Sequence, residues 1–270
     1  MRYGLRTLLI VVAAVGVWLG VRVNAARRQQ AAVATIQRLG GTVYYAHQIR
    51  EDSLGRLVAE PDKPLPLPKW LRPVAERIFP PAVASVSLRE TQATDRDLEI
   101  LKFFPHLRRL DLAKTAVTDD GLAIVGRLRE LESLSVVGLE IDDRGIEHLK
   151  SLRLTHLSLW KTRVTDAGVR HLRHMTMLRM LTLDETQITD AAMEDVGELV
   201  NLEEWLGLTD NRLTDAAVPH LSKLTKLRSL NLLRTNVSPE GLRQLRIALP
   251  GTQVSPQPWE MSSVQRPEQP

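Results

Sequence analysis

The sequence predicts an α/β solenoid, a curved parallel sheet on the concave side with helices on the convex side, preceded by an N-terminal membrane helix. Three observations point there. A unit of 23 to 25 residues recurs seven times between Val83 and Val254. Within each copy the apolar positions switch from a two-residue alternation to helical spacing. Near the start of the 270-residue chain, Thr7 to Val21 form fifteen consecutive uncharged and nearly all apolar residues.

The bulk composition narrows the function classes. An apolar share of 43% and a charged share of 25% are ordinary for a folded chain. Aromatics make up only 4%, so the core is built from Leu, Val and Ile. The net charge of +4 comes from basic residues dispersed along the chain, which argues against a nucleic-acid partner. The absence of cysteine excludes disulfides, thiol catalysis, cysteine-ligated metals and a lipid-modified cysteine anchor.

Residues 1–27 read as a signal anchor with basic flanks. As a helix, Thr7 to Val21 is about 22 Å long, short of a hydrocarbon core of about 30 Å. Arg6 and Arg22 at its edges can snorkel, which extends the usable span to Leu5 and Ala26. Val23-Asn24-Ala25 also fits a small-x-small cleavage site, so a cleaved signal peptide is the alternative. The helix-favouring run that follows weighs toward retention. A short basic start before an apolar run favours export of the repeats, whereas the charge count across the span favours the reverse orientation. The first consideration is given more weight, which puts a single-pass protein's repeats on the extracytoplasmic side.

Residues 28–82 read as a helical and Pro-rich connecting and capping region. Val33, Ile36 and Leu39 repeat at helical spacing and stop at Gly40-Gly41, a helix terminator. Thr42 to Tyr45 reads as a short strand. Seven prolines between Pro61 and Pro81 exclude a continuous helix or strand. Within that stretch Trp70, Leu71, Val74, Ile78 and Phe79 share a helical face, which predicts a lid over the open end of the solenoid.

Residues 83–254 hold the repeats, followed by a polar, Pro-rich tail at 255–270 that reads as disordered. The units start at Val83, Leu107, Leu131, Leu154, Leu178, Leu202 and Leu227, with Thr252-Gln253-Val254 as the strand of a truncated eighth. Their pattern is L-x-x-L-x-L-x-x-T-x-[VI]-T-D-x-G-L-x-x-L-x-x-L. It resembles the leucine-rich repeat family, and its T-D-x-G-L form is similar to the ribonuclease-inhibitor-like and F-box-associated branch. With the basic start and single apolar span, the chain is also similar to membrane-anchored bacterial leucine-rich repeat proteins. The resemblance implies a scaffold that binds another protein through its concave face.

Two polar columns recur within the units. Thr91, Thr115, Thr162, Thr186 and Thr235, with Asn211, stand where the backbone turns inward after the strand and needs a hydrogen-bond partner. Asp95, Asp119, Asp143, Asp166, Asp190 and Asp215 stand at the helix starts, where Thr-Asp supplies an N-cap oxygen and a charge suited to the helix dipole. Repetition at the same place makes both columns architectural. His171 and His174 sit one turn apart but lack a third ligand, so they read as a surface pair and no metal site is expected. No nucleophile and base, phosphate loop or cofactor motif stands out, and the chain reads as a non-enzyme.

The positions free to vary project from the concave face. Candidate protein-binding residues there are Arg109, Asp111, His156, Trp160, Met180, Asp184 and Glu185. Trp160 is the outlier, because no repeat needs an aromatic there and Trp is enriched at binding hot spots. Trp205 lies in a copy one residue too long, which predicts a bulge. The alternative function is a substrate-recognition subunit of an F-box-type ubiquitin-ligase complex. Leu67-Pro68 is then the expected start of the F-box, but the helix pattern after it is interrupted by Pro73.

Overall fold

An unbroken apolar run with no proline and a glycine stop gives one long helix, α1 (Gly4–Arg38), in the computed structural model. The structure describes residues 4–52, 57–68, 70, 71 and 79–256. Its 35 residues make α1 about 52 Å long. The two predicted segments, membrane span and cap helix, are therefore one continuous rod. Among the described side chains of its first half none is buried, and Leu8, Ile10, Val17 and Val21 face outward. Its second half buries Ala26, Ala32, Val33 and Ile36 against the start of the solenoid.

The rod stops at Gly40, whose φ of 87° is open to glycine at little cost. Strand β1 (Thr42–Tyr45) follows at once. A two-stranded antiparallel ribbon, β2 (Ile49–Glu51) and β3 (Leu57–Ala59), comes next. The chain then enters the repeats with β4 (Val83–Ser87), β5 (Arg109–Asp111), β6 (Ser133–Ser135) and β7 (His156–Ser158). The series continues through β8 (Met180–Thr182), β9 (Trp205–Gly207), β10 (Ser229–Asn231) and β11 (Gln253–Ser255).

These strands form one sheet in the order β1, β4, β5, β6, β7, β8, β9, β10, β11. From β4 onward every pairing is parallel and in register, so Val86, Leu110, Leu134, Leu157, Leu181, Leu206, Leu230 and Val254 align in a buried row. Only β1 runs antiparallel, on the outer edge of β4. It covers an edge that would otherwise offer unpaired amides to another chain.

Helices close each unit on the far side of the core: α2 (Asp119–Val125), α3 (Asp143–Glu147), α4 (Asp166–Arg170), α5 (Ala192–Gly197), α6 (Val218–Leu221) and α7 (Pro239–Ala248). A 3-10 helix, Asp95–Phe103, serves the first unit, and another, Asp215–Ala217, precedes α6. Leu, Val and Ile from both sides make one continuous core that runs from Ala32 to Val254. No unit could bury its own stripe alone, so stacking supplies the stability.

The lid differs from the sequence expectation. The first repeat is covered by the second half of α1 and by β1. Trp70 is 78% exposed and Phe79 51% exposed, while Val74 and Ile78 lie outside the described residues. Aliphatic residues on a long helix fill the open end better than a segment that prolines keep from forming backbone ladders. The tail beyond residue 256 also lies outside the described residues.

Candidate functional site: the open face of the sheet

The parallel register sets two rows of side chains on the open face. One reads Ser85, Arg109, Ser133, His156, Met180, Trp205, Ser229 and Gln253. The other reads Ser87, Asp111, Ser135, Ser158, Thr182, Gly207, Asn231 and Ser255. The extra residue of the sixth unit falls between Leu202 and β9, because Trp205 pairs with Met180 and Leu206 with Leu181 in the register of the other units. Trp205 therefore does not bulge out. It takes its place in the first row between Met180 and Ser229, a position that strict repeat spacing disguised.

After each strand the chain turns a corner, and the residue there has a positive φ. Glu90, Lys114, Lys161, Glu185, Asp210 and Arg234 have φ between 51° and 59°, and Gly138 stands at the same place with 70°. Left-handed backbone costs a non-glycine residue roughly 1 kcal/mol. Two ladders of hydrogen bonds offset that cost. Backbone amides at the corner reach the next unit, as in Glu90 to the Ala113 carbonyl and Lys161 to the Asp184 carbonyl, at 2.8 and 2.9 Å. The threonine that follows donates back to the carbonyl of the residue just past the strand, as in Thr162 Oγ1 to Leu159 at 2.8 Å. Asn211 replaces threonine once and donates to the carbonyls of Leu183, Leu208 and Thr209.

The candidate residues separate into three groups. Two are internal. Asp184 is 9% exposed and accepts the Thr209 amide at 2.8 Å, and a side chain on Gly207 would overlap its carboxylate. His156 is also 9% exposed; its Nε2 stands 3.2 Å from Glu204 and its Nδ1 2.9 Å from Thr155 Oγ1. Burial pushes the His156 imidazole below its usual range, against the opposing pull of Glu204. The expectation that both project into solvent is corrected: unpaired polar groups of the solenoid wall recruit them first.

Two more belong to the first units. Arg109 donates to the Leu57 carbonyl at 2.9 Å, and neighbouring Arg108 binds Glu51 at 2.7 Å and Glu132 at 2.8 Å. These contacts lay the β2–β3 ribbon over the open face, with Leu57 and Val58 bordering a small cavity that reaches His156 and Met180. Asp111 turns back to accept the Ala113 amide at 3.0 Å. The sequence carried no sign of this cover, because a ribbon of two three-residue strands leaves hardly any periodicity.

Three remain outward. Trp160 is 44% exposed, and its indole N–H donates to Glu185 at 3.0 Å, bridging two units across the sheet's edge. Met180 is half-buried beside Trp205 in the first row. Trp160 and Glu185 stand past the ends of β7 and β8, whereas Met180 and Trp205 sit side by side where β8 and β9 begin, so the outward residues form two groups at opposite ends of the strands. On the helix side, His171 is half-buried at the end of α4, while His174 is exposed and accepts from Arg173 at 3.0 Å.

These features define the class: the chain folds as a leucine-rich repeat solenoid with parallel strands on one side and helices on the other. A family model for the Leucine Rich repeat matches residues 105–123, the stretch from the end of the first unit into α2. Among solved structures, an internalin C2 from Listeria monocytogenes is similar over 75% of this chain and 76% of that one, at 22% identity and a TM-score of 0.51. A second internalin (inlF) from the same organism covers 62% of this chain and 58% of its own, at 18% identity and a TM-score of 0.37. No curated protein matches the chain.

Proposed function

We propose that this protein is a non-catalytic scaffold, tethered to a membrane by the first half of α1, whose open sheet face binds a protein partner. The observation that carries the binding reading is Trp160, a 44% exposed aromatic on the open side that the repeat does not require, with half-buried Met180 and Trp205 side by side on the same face. Exposed aromatics and methionine are the side chains that supply most binding energy at protein interfaces, with little conformational cost. Arg109 and Asp111 sit under or beside the β2–β3 ribbon, so the accessible part of the face is the half from β7 to β10. The membrane reading is supported by a helix long and apolar enough to cross, whose apolar stretch is not buried against the rest of the described residues.

No described residue favours the F-box-type alternative. Leu67-Pro68 lies in irregular chain, and the segment after it is largely outside the described residues. The test is affinity purification from membranes with wild type and with Trp160→Ala/Trp205→Ala, both checked for folding by circular dichroism. Recovery of a specific partner is expected to fall at least tenfold in the double variant, since each hot-spot aromatic is worth about 2 kcal/mol. Equal recovery would remove the proposed face.

A further inference from the structure

Where α1 leaves its apolar half, it borders a cleft of about 600 Å³ formed with the Pro80–Ala82 segment and the end of the first unit. Four basic side chains line it: Arg22, Arg28, Lys102 and His106. No carboxylate lines it among the described residues. Lys102 and His106 have acidic neighbours, Glu99 at 3.3 Å and Glu130 at 3.0 Å, but both of these stand outside the cleft. Arg22 and Arg28 form no ion pair among the described residues. The wall opposite is apolar and aromatic, with Phe79 and Phe103. Gln29 ties that wall to α1 by donating to the Pro81 carbonyl at 2.8 Å.

The level of the cleft along α1 decides what it can hold. Val21 is the last residue of the fully apolar stretch, and Arg22 follows it directly. Trp18 packs against Phe79 with ring centroids 6.0 Å apart, and Arg22 lies 5.6 Å above the same indole. Trp rings concentrate at the boundary between acyl chains and headgroups, and arginines near helix ends snorkel to it. Arg28 stands six residues further, about 9 Å above, at headgroup height.

We propose that this cleft binds the phosphate of an anionic phospholipid, with Arg22 and Arg28 on the headgroup and Phe79 and Phe103 against the upper acyl chain. The proposal rests on the membrane reading given above. A cleft at the end of the apolar stretch, lined by two arginines without an ion pair among the described residues and by apolar and aromatic side chains, complements an amphiphile better than a free inorganic anion. Bound lipid would also set the solenoid's orientation, because α1 is rigidly continuous with the first repeat.

The test uses the full chain purified in neutral detergent and analysed by native mass spectrometry against phosphatidylglycerol and phosphatidylcholine of matched acyl chains. Wild type is expected to retain phosphatidylglycerol preferentially. Arg22→Gln/Arg28→Gln should weaken that binding about thirtyfold, from the usual contribution of a basic residue near an anionic lipid surface. Arg153→Gln/Arg212→Gln, which removes the same charge elsewhere, should leave it unchanged. Equal retention of both lipids, an unaffected Arg22/Arg28 variant, or displacement of lipid by a hundredfold excess of inorganic phosphate would each overturn the proposal. Carbonate washing of cell membranes separates this from the underlying reading. A chain that washes off as soluble protein overturns both, whereas a chain that stays inserted without lipid preference overturns only the cleft.

Discussion

Asp166 looks like a helix cap from sequence, yet its carboxylate serves the next unit. It accepts both the backbone amide and the hydroxyl of Thr189 at 2.7 Å. Asp95 does the same for Thr118, Asp143 for Thr165, Asp190 for Thr214 and Asp215 for Ser238. The clamp explains the glycine of T-D-x-G: a side chain on Gly121, Gly168 or Gly241 would overlap the carboxylate of the preceding unit's aspartate. Asp143→Ala and Gly168→Ala should each cost about 2 kcal/mol, one by lost charged hydrogen bonds and one by overpacking. Their double variant should cost at least about 1 kcal/mol less than the sum, measured by denaturant unfolding; strict additivity would refute the clamp. One rung is irregular, since Asp142 replaces threonine beside Asp119. Burial and the Asp142 charge hold the Asp119 carboxyl above its usual range, while Arg144 holds Asp142 below its own. A raised carboxyl lends stability below its unfolded value of about 3.9 and loses that advantage as pH rises through the folded value. Asp142→Thr, which removes the neighbouring charge, should therefore stabilise the protein at pH 7, by about 1 kcal/mol. The gain should fade as pH drops through the raised Asp119 value, because a protonated Asp119 no longer repels Asp142. A stabilisation independent of pH would show that the like charges are not its source.

The clamp also shapes the elements. Where glycine follows the aspartate by two residues, an α-helix begins directly at Asp119, Asp143 or Asp166. Where Ala217 takes that place the turn is 3-10, and where Ala192 does so the helix starts only there. A methyl group beside the neighbouring carboxylate displaces the first turn. At the N-terminal end, Ile36 is fully buried and joins α1 to the first unit's core. Ile36→Ala should cost about 3 kcal/mol. Hydrogen exchange should then show faster opening of β4 than of β8, because solenoid stability is nearest-neighbour in character. Uniform acceleration along the sheet would contradict a local capping role. The repeated elements were legible because their signal is copied seven times. Within the expected capping region the helix of Val33 and Ile36 and the strand Thr42–Tyr45 are what cover the first unit, whereas Trp70 and Phe79 are exposed, since a single amphipathic stretch has no copy to confirm its role. The left-handed corners were hidden too: Glu90, Lys114 and Arg234 give no residue-type sign of positive φ, and in their column Gly138 and Asp210 alone hint at it.

For the whole molecule, the sequence defined the solenoid and its row of candidate residues, but not which of them remain free. His156 and Asp184 are recruited by the wall, and Arg109 by the β2–β3 ribbon, because each lies near polar groups that only the folded stack assembles. Trp160, Met180, Glu185 and Trp205 are left outward on the half of the face beyond the ribbon. The account's central claim is that this half of the sheet is the partner surface. The most direct measurement is photo-crosslinking in cells, with a benzophenone amino acid placed singly at positions 160, 180 and 205 and, on the helix side, at 170 and 247. The same polypeptide should be captured from the three sheet positions and from neither helix position. Capture from 170 or 247 with none from 160, 180 and 205 would contradict it.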